Sequence, residues 1–197
     1  SERRLATILD RIDEAVFLAK AHEITQASQD PDYVSSGYEE IWGQPLDGIR
    51  DRYEDGFFGT LHPDDEAGYR AFMEEIVADI DAADADDRYT TEYRIETPEG
   101  ETRWVESDYY PVEWKDGPPR IVIVSREITD RKSRERRLVS FEEATDDLAT
   151  ADAADEAARA AVDAATDALD LSAVAVYLYD QDEGVLTPED RAGALPD

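Results

Sequence analysis

An α+β fold is what the sequence predicts, and three observations carry the prediction. Apolar residues recur at helical spacing as far as Ile80, then alternate with polar ones from Tyr89 onward. The alternating runs are joined by two turn-forming segments, TPEGE (97–101) and KDGPP (115–119), which favour antiparallel neighbours. Beyond residue 130 the chain returns to helical spacing and then to a strand–turn–strand pattern. The expectation is a mixed domain ending near Asp130, a connecting helix, and the opening of a second unit.

In chain order, Leu5, Ile8, Leu9 and Ile12 mark one face of an opening helix over 1–14. AVFLA (Ala15–Ala19) reads as a short apolar strand, and ITQASQDPDYVS carries another around a turn at Asp30-Pro31. Short helices are expected around Tyr38–Ile41 and near Asp51–Tyr53, with Gly43, Gly48 and Gly56 between them. LHPDDEAGYRAFMEEIVADI reads as a capped helix. Pro63 suits its first turn, and Asp64, Asp65 and Glu66 stand where the helix dipole favours negative charge. Its apolar face is Tyr69, Phe72, Met73, Ile76, Val77 and Ile80. Asp81–Asp87 is an acidic loop. Tyr89, Thr91, Tyr93 and Ile95 then form one face of a strand, Trp104 and Val105 lie in its return partner, and RIVIVSREI is a third.

Past Asp130, a charged helix runs to about Asp147. Asp152 or Asp155 is placed to cap a further helix whose face is Ala158, Ala161, Val162, Ala165 and Leu169. SAVAVYLYD and VLTPED read as a strand pair around DEG. The last 47 residues are too few to close a core of their own.

Fifty acidic residues against twenty basic give a formal charge of −30, yet 41% apolar content is ample for a core. The acids are scattered through amphipathic segments instead of lying in a block, which argues against an acidic tail. Such a surface repels itself in dilute buffer and is screened at high salt, so the composition points to the cytoplasm of a salt-accumulating halophile. The stretch REITDRKSRERRL (126–138) is the exception, holding six basic and three acidic residues. Nucleic-acid binding needs an unopposed positive field, and Glu127, Asp130 and Glu135 interrupt this one. A membrane surface needs an apolar face, which Ser133–Arg137 lacks. The remaining reading is a helix leaving the sheet, capped by Asp130, its basic side chains paired with carboxylates. Leu138, Phe141, Thr145 and Leu148 follow with 3-4-3 spacing, a short coiled-coil seam. ERRL recurs at Glu2–Leu5 and Glu135–Leu138, suggesting that each unit is entered by a similar helix. The start at Ser1 fits a piece of a longer chain.

The chain has no cysteine, which removes disulfides, thiol chemistry and CxxC metal sites. No apolar run reaches the roughly 18 residues that a membrane helix needs, and no signal peptide opens the chain. His62 and His22 lack a second nitrogen or sulfur ligand at useful spacing, so no metal site is expected, and HPDD reads as a helix start. Among fifty acids, carboxylate pairs arise by chance and say nothing of general acid–base catalysis. No nucleophile elbow, P-loop or dinucleotide fingerprint is present, so no catalytic residue and no enzyme is expected within this segment.

Four pieces in order, YVSSGYEEIWG (33–43), LHPDD (61–65), EYRI with EGETRWV (92–105) and VSREITDRK (124–132), resemble the PAS family in its PAS/PAC form. Two positions depart from the family pattern: Glu127 stands for the usual Asp of its D-I-T signature, and Ile123 for a common Gly. From Phe141, through DAATDALDLSAVAVYLYDQDEG, the chain is similar to the start of a GAF domain. In so acidic a chain the pair resembles haloarchaeal PAS–GAF regulators of the bacterio-opsin activator kind, or sensor histidine kinases. The resemblance implies a PAS fold with a five-stranded antiparallel sheet, flanking helices and a small internal pocket, followed by a helical linker and a partial GAF domain. It divides the chain into an N-terminal signalling helix (1–14), a PAS domain (15–130), a connecting helix (131–150) and an incomplete GAF portion (151–197).

On that resemblance the expected function is sensory and regulatory, with the signal passing along the outgoing helix to an output domain in the same polypeptide. Phe17, Trp42, Phe72, Tyr93 and Trp104 are the candidate lining of a pocket for an unidentified small molecule, and alternatively core filling. Glu127, Ile128, Thr129, Asp130 and Arg131 are the candidate coupling hinge. Covalent flavin and thioester-linked chromophores, known among relatives, need a cysteine. A cofactor is not expected, although non-covalent flavin or haem remains open. Homodimerisation is expected; nucleic-acid and membrane binding are not. The alternatives are a ligand-free dimerisation module and a cofactor-bearing redox or light sensor.

Overall fold

In the computed structural model the described residues are 14–26, 30–48, 54, 56–115, 117–150, 153–169, 171, 173–180 and 184–193. The expected opening helix, the short helix near Asp51–Tyr53 and the cap at Asp152 lie outside them. The chain divides into two compact units between Thr129 and Asp130.

In the first unit, β1 (Ala15–Lys20), β2 (Tyr33–Val34), β3 (Tyr89–Glu96), β4 (Thr102–Val112) and β5 (Arg120–Glu127) form one sheet in the order β2-β1-β5-β4-β3. All neighbours are antiparallel. The first strand thus pairs with β5, Phe17 opposite Ile123, and this joins the β1–β2 pair to the β3–β4–β5 meander. Alternation then sorts the side chains. Ala15, Phe17 and Ala19 lie in register with Ser125, Ile123 and Ile121, and the rows continue through Ser107 and Tyr109 of β4 to β3.

That inner face is covered by α1 (Gly37–Trp42), a 3-10 turn at Gly56–Thr60 and α2 (Pro63–Asp81). Tyr38, Ile41 and Trp42 of α1 are buried, as are Tyr69, Met73 and Ile76 of α2, four and three residues apart along one stripe. Aromatic rings make much of this core. Tyr38 stacks on Trp42 at 4.7 Å, and Phe17 meets both edge-on at 5.4 and 5.9 Å. The expected start of α2 is present in detail. His62 Nδ1 accepts from the Asp64 amide at 3.3 Å, Pro63 follows, and three carboxylates occupy the first turn. His62 is therefore a cap. The backbone of Leu61 and His62 continues onto the edge of β3, pairing with Ile95 and Arg94.

The second unit holds α3 (Thr129–Thr150, whose first residue belongs to the first unit), α4 (Ala154–Leu169), and the hairpin β6 (Val174–Asp180) with β7 (Val185–Ala192). Among the described side chains of the α4 face, Ala158 and Val162 are buried. Asp155 lies inside the first turn of α4 and not at its cap, because the helix begins one residue earlier. Tyr177, Tyr179 and Leu186 are exposed. Among the described residues no helix is long and apolar enough to cross a membrane.

Two glycines separate space from propensity. A Cβ at Gly37 would collide with the Glu14 carbonyl and stand 3.2 Å from the Ala15 nitrogen, whereas at Gly68, within α2, nothing lies within 4 Å. Gly37→Ala is therefore expected to destabilise the protein by about 1–3 kcal/mol. Gly68→Ala is expected to stabilise it by about 0.5–1 kcal/mol through helix propensity. Urea unfolding of the two variants checks both signs.

Candidate functional site

β4 builds the site because its odd and even residues serve opposite faces. Val105, Ser107 and Tyr109 are fully buried in the core, while Trp104, Glu106 and Asp108 belong to the other face. The last β4–β5 pairing is Val105 with Glu127. One residue on, the Ile128 amide donates to the Trp104 carbonyl at 2.8 Å. The Trp104 amide in turn donates to Oγ1 of Thr129, the first residue of α3, at 3.0 Å. Both backbone groups of Trp104 thus hold the junction, and Ile128 is buried beside them at 6% exposure.

Two side-chain links run from this junction to the helices over the core. Arg103 Nη1 donates to the carbonyls of Glu40 and Ile41 at the end of α1, at 2.7 and 3.0 Å. The same nitrogen lies 3.8 Å from a Glu127 carboxylate oxygen. On the opposite face the Arg94 guanidinium stands 5.4 Å from the centre of the Trp104 ring. Arg94 also holds Asp65 of α2 in a bidentate pair at 2.6 and 2.9 Å, and its amide donates to the same carboxylate at 2.8 Å. These hydrogen bonds hold the Asp65 carboxyl below its ordinary range.

The five residues expected to form the hinge divide accordingly. Glu127, Ile128 and Thr129 meet β4, Glu127 through Arg103 and the other two through Trp104. Asp130 lies in the first turn of α3, where its charge favours the helix dipole, and does not cap the helix, since Thr129 already belongs to it. Arg131 lies 3.9 Å from Glu135, and Lys132 lies 3.7 Å from it. Arg126, first of the basic stretch, points back to the sheet. There it shares the buried Asp108 carboxylate with Arg88 and Thr90.

Of the five pocket candidates, Phe17, Trp42 and Tyr93 line one core cavity of about 30 Å³. Phe72 lies outside it, its ring 5.7 Å from that of Tyr109, and Trp104 faces away on the other side of the sheet. Tyr69, expected only as part of a helix face, and Tyr109 and Ser125, which no sequence signal marked, also line the cavity. With Ser107 they form a buried hydroxyl cluster. Tyr69 and Tyr109 hydroxyls are 2.6 Å apart, Tyr93 lies 2.8 Å from Ser107, and Ser107 lies 2.6 Å from Ser125. Burial pushes the Tyr93 hydroxyl up to about 12 and raises Tyr69 and Tyr109 well above their ordinary value. All three stay neutral at physiological pH and act as hydrogen-bond groups, not as bases.

His22 Nε2 lies 3.5 Å from Asp81 at the end of α2. No group of three or more His, Cys, Asp or Glu suited to a metal occurs among the described residues.

Residues 31–125 match the family model described as the PAS fold. Among solved structures, the chain is similar to a sensory box histidine kinase/response regulator from Burkholderia thailandensis, at 26% identity and a TM-score of 0.47 over 74% of this chain and 99% of that one. It is also similar to the PAS domain of an HTR-like protein from Haloarcula marismortui, at 16% identity and 0.47, covering 64% and 91%. A third is the PAS domain of a Colwellia psychrerythraea protein, at 16% and 0.47, covering 66% and 98%. No curated protein matches the chain.

The Asp65–Arg94 pair carries a pH signature. Asp65 has its ordinary value, 3.8, when unfolded and a lower one in the fold. Its contribution is therefore complete above 3.8 and is lost as pH falls through the lowered value. Asp65→Asn is expected to cost about 1.5–3 kcal/mol at neutral pH, with the deficit against the parent shrinking in acid. Urea unfolding across a pH series measures it, and a deficit independent of pH would assign the loss to something other than this ion pair.

Proposed function

Residues 31–125 carry the PAS fold, and from that premise we propose that the chain is a signal-relay module. The state of its core biases the helix leaving β5, and the helix passes that bias to an output domain, a kinase or a DNA-binding domain, in the same polypeptide. The observation that carries this reading is the attachment of the helix start to the sheet through both backbone groups of Trp104. Arg103 and Arg94 extend that attachment to α1 and α2, whose side chains line the cavity. A change in the core that shifts either helix is thereby felt at residues 127–129, as a shift between two packings of one segment.

Further parts of the reading rest on particular features. Leu138, Val139 and Phe141, each more than half exposed on α3, support a homodimer through that helix. They also favour the second reading, a dimerisation module without a ligand. Thr145 and Leu148, the rest of the seam, have side chains outside the description. The basic stretch supports relay over nucleic-acid binding: Arg126 is bound to Asp108, and Arg134 and Arg136 donate to carbonyls of their own helix. The succession of α4, β6 and β7 in the second unit, with apolar residues exposed on the hairpin, supports an incomplete GAF domain. The cavity is an order of magnitude below the roughly 300 Å³ at which ligand pockets begin, which supports a module without flavin or haem. The charge of −30 supports the cytoplasm of a halophile, and the resemblance to haloarchaeal PAS–GAF regulators stands on the same composition.

Magnitudes rank the hinge residues. A hydrogen bond such as that at Thr129 contributes about 1 kcal/mol. A half-exposed ion pair at 3.8 Å, such as Arg103–Glu127, contributes between about 0 and 1 kcal/mol. Thr129→Val is therefore expected to speed amide exchange at Ile128–Lys132 by roughly 5- to 10-fold. Glu127→Ala is expected to speed it by at most about 5-fold. Unchanged exchange in Thr129→Val would overturn the relay. For the halophilic part, the thermal midpoint is expected to rise by roughly 10 °C between about 0.1 M and about 2 M KCl, and a midpoint indifferent to salt would remove that assignment.

A further inference from the structure

We propose that the core cavity is a hydration site for two water molecules, which accept the two hydroxyl protons that the buried cluster cannot spend on itself. The inference rests on the relay reading only in giving these waters a role, as the occupant whose loss or exchange alters the core.

Each of Tyr69, Tyr93, Ser107, Tyr109 and Ser125 has one hydroxyl proton to donate. Three hydrogen bonds join them, one within the Tyr69–Tyr109 pair and two within the Tyr93–Ser107–Ser125 trio. Whatever the direction of each bond, the pair keeps one proton unspent and the trio keeps another. All five residues are at most 7% exposed, so bulk water does not take up these protons. A buried donor without an acceptor is costly, and native structures pair nearly all of them. In the pair, both possible carriers line the cavity; in the trio, the two ends, Tyr93 and Ser125, do, whereas a proton left on Ser107, when both ends donate to it, would meet no acceptor, so the favoured bond directions place it on an end.

The cavity suits that need in size and charge. One water needs roughly 10–15 Å³ measured in this way, so about 30 Å³ takes two. The lining is otherwise apolar, including Phe17, Ile24, Trp42 and Met73, with no charged side chain among the lining residues. An anion would be buried without a cation, a cation would meet donors where it needs acceptors, and an apolar guest would leave both protons unpaired. A neutral acceptor remains, and water is the one that fits. Any resident that replaces the pair must itself be neutral and offer lone pairs, as a carbonyl or sulfoxide oxygen does.

A high-resolution crystal structure of the 197-residue chain tests this directly, together with water-to-protein magnetisation transfer at the Tyr93 and Tyr109 rings in solution. Two waters are expected, one bonded to Tyr69 or Tyr109 and one to Tyr93 or Ser125. A dry cavity, or one that admits xenon under pressure, would overturn the proposal. Two variants separate the proton count from mere space. Tyr69→Phe combined with Tyr109→Phe removes one unspent proton while adding room, so one water is expected. Ser125→Ala removes a proton and a bond together, so two are expected. Two waters in the double variant, or one in Ser125→Ala, would sink the count. None of these readouts involves the helix junction. A dry cavity would leave the relay standing, and unchanged exchange in Thr129→Val would leave the waters in place.

Discussion

The hydrogen bonds at Trp104 decide where the sheet stops and the helix starts. A strand ladder would offer the Trp104 amide a backbone carbonyl from the chain following β5. Turning that chain into a helix commits its carbonyls to the helix's own amides. Thr129 resolves the conflict by supplying a hydroxyl oxygen in the carbonyl's place, at 3.0 Å. The ladder gains one more rung, made by a side chain, while the backbone is already helical. Residue type matters here because the acceptor must sit on the β-carbon, which Thr and Ser provide and Val does not.

From that junction the asymmetry of β4 follows. Arg103 and Trp104 are adjacent in sequence and point to opposite faces, so one strand end reaches both α1 and α2. The two routes differ in strength. Asp65 is partly buried and receives three hydrogen bonds from Arg94, two of them a charged fork. Glu127 is more than a third exposed and approaches Arg103 at 3.8 Å, where solvent screens the attraction. Arg103 is held more firmly by the α1 carbonyls than by Glu127. The longer carboxylate at 127, where an Asp is usual in the resembled family, therefore sits at the weaker of the two links.

Much of this was legible in the sequence, for physical reasons. The switch of apolar period at Tyr89, the turns at TPEGE and KDGPP, and the Pro63 helix start are local signals, and the corresponding elements stand where they were expected. The parity of β4 was legible as well. Trp104 is out of phase with Val105, which shares a row with Tyr93, so alternation places the tryptophan on the face away from the cavity. Treating it as a pocket residue weighed its aromatic character above its phase. Other features are not local. The pairing of β1 with β5 spans most of the first unit, and the meeting of Tyr69 with Tyr109 joins a helix to a strand forty residues away. Serines inside strands read as weak strand formers until the face they share is seen to be covered. Nothing in SREITD marks Thr129, and not Asp130, as the residue bonded to the sheet; a one-residue shift in the helix start decides it.

The energetics suit a relay because the junction is held by few and modest bonds. Fixing the helix start with two hydrogen bonds of about 1 kcal/mol each gives roughly a 30-fold preference for the attached state. That is enough to define one packing and small enough to be reversed. Moving such a preference from one side of balance to the other takes a few kcal/mol, which is what a change in one or two buried hydrogen bonds supplies. A hydrophobic junction of several buried side chains would be too strong to switch, and a fully exposed one would carry no information from the core. Ile128, buried at the junction, and Thr129, bonded to the sheet, lie between those limits. The neutral hydroxyls of the core stay clear of the much larger energies of buried charge. A relay built on this junction would therefore work within the range that a small change at its centre can tip.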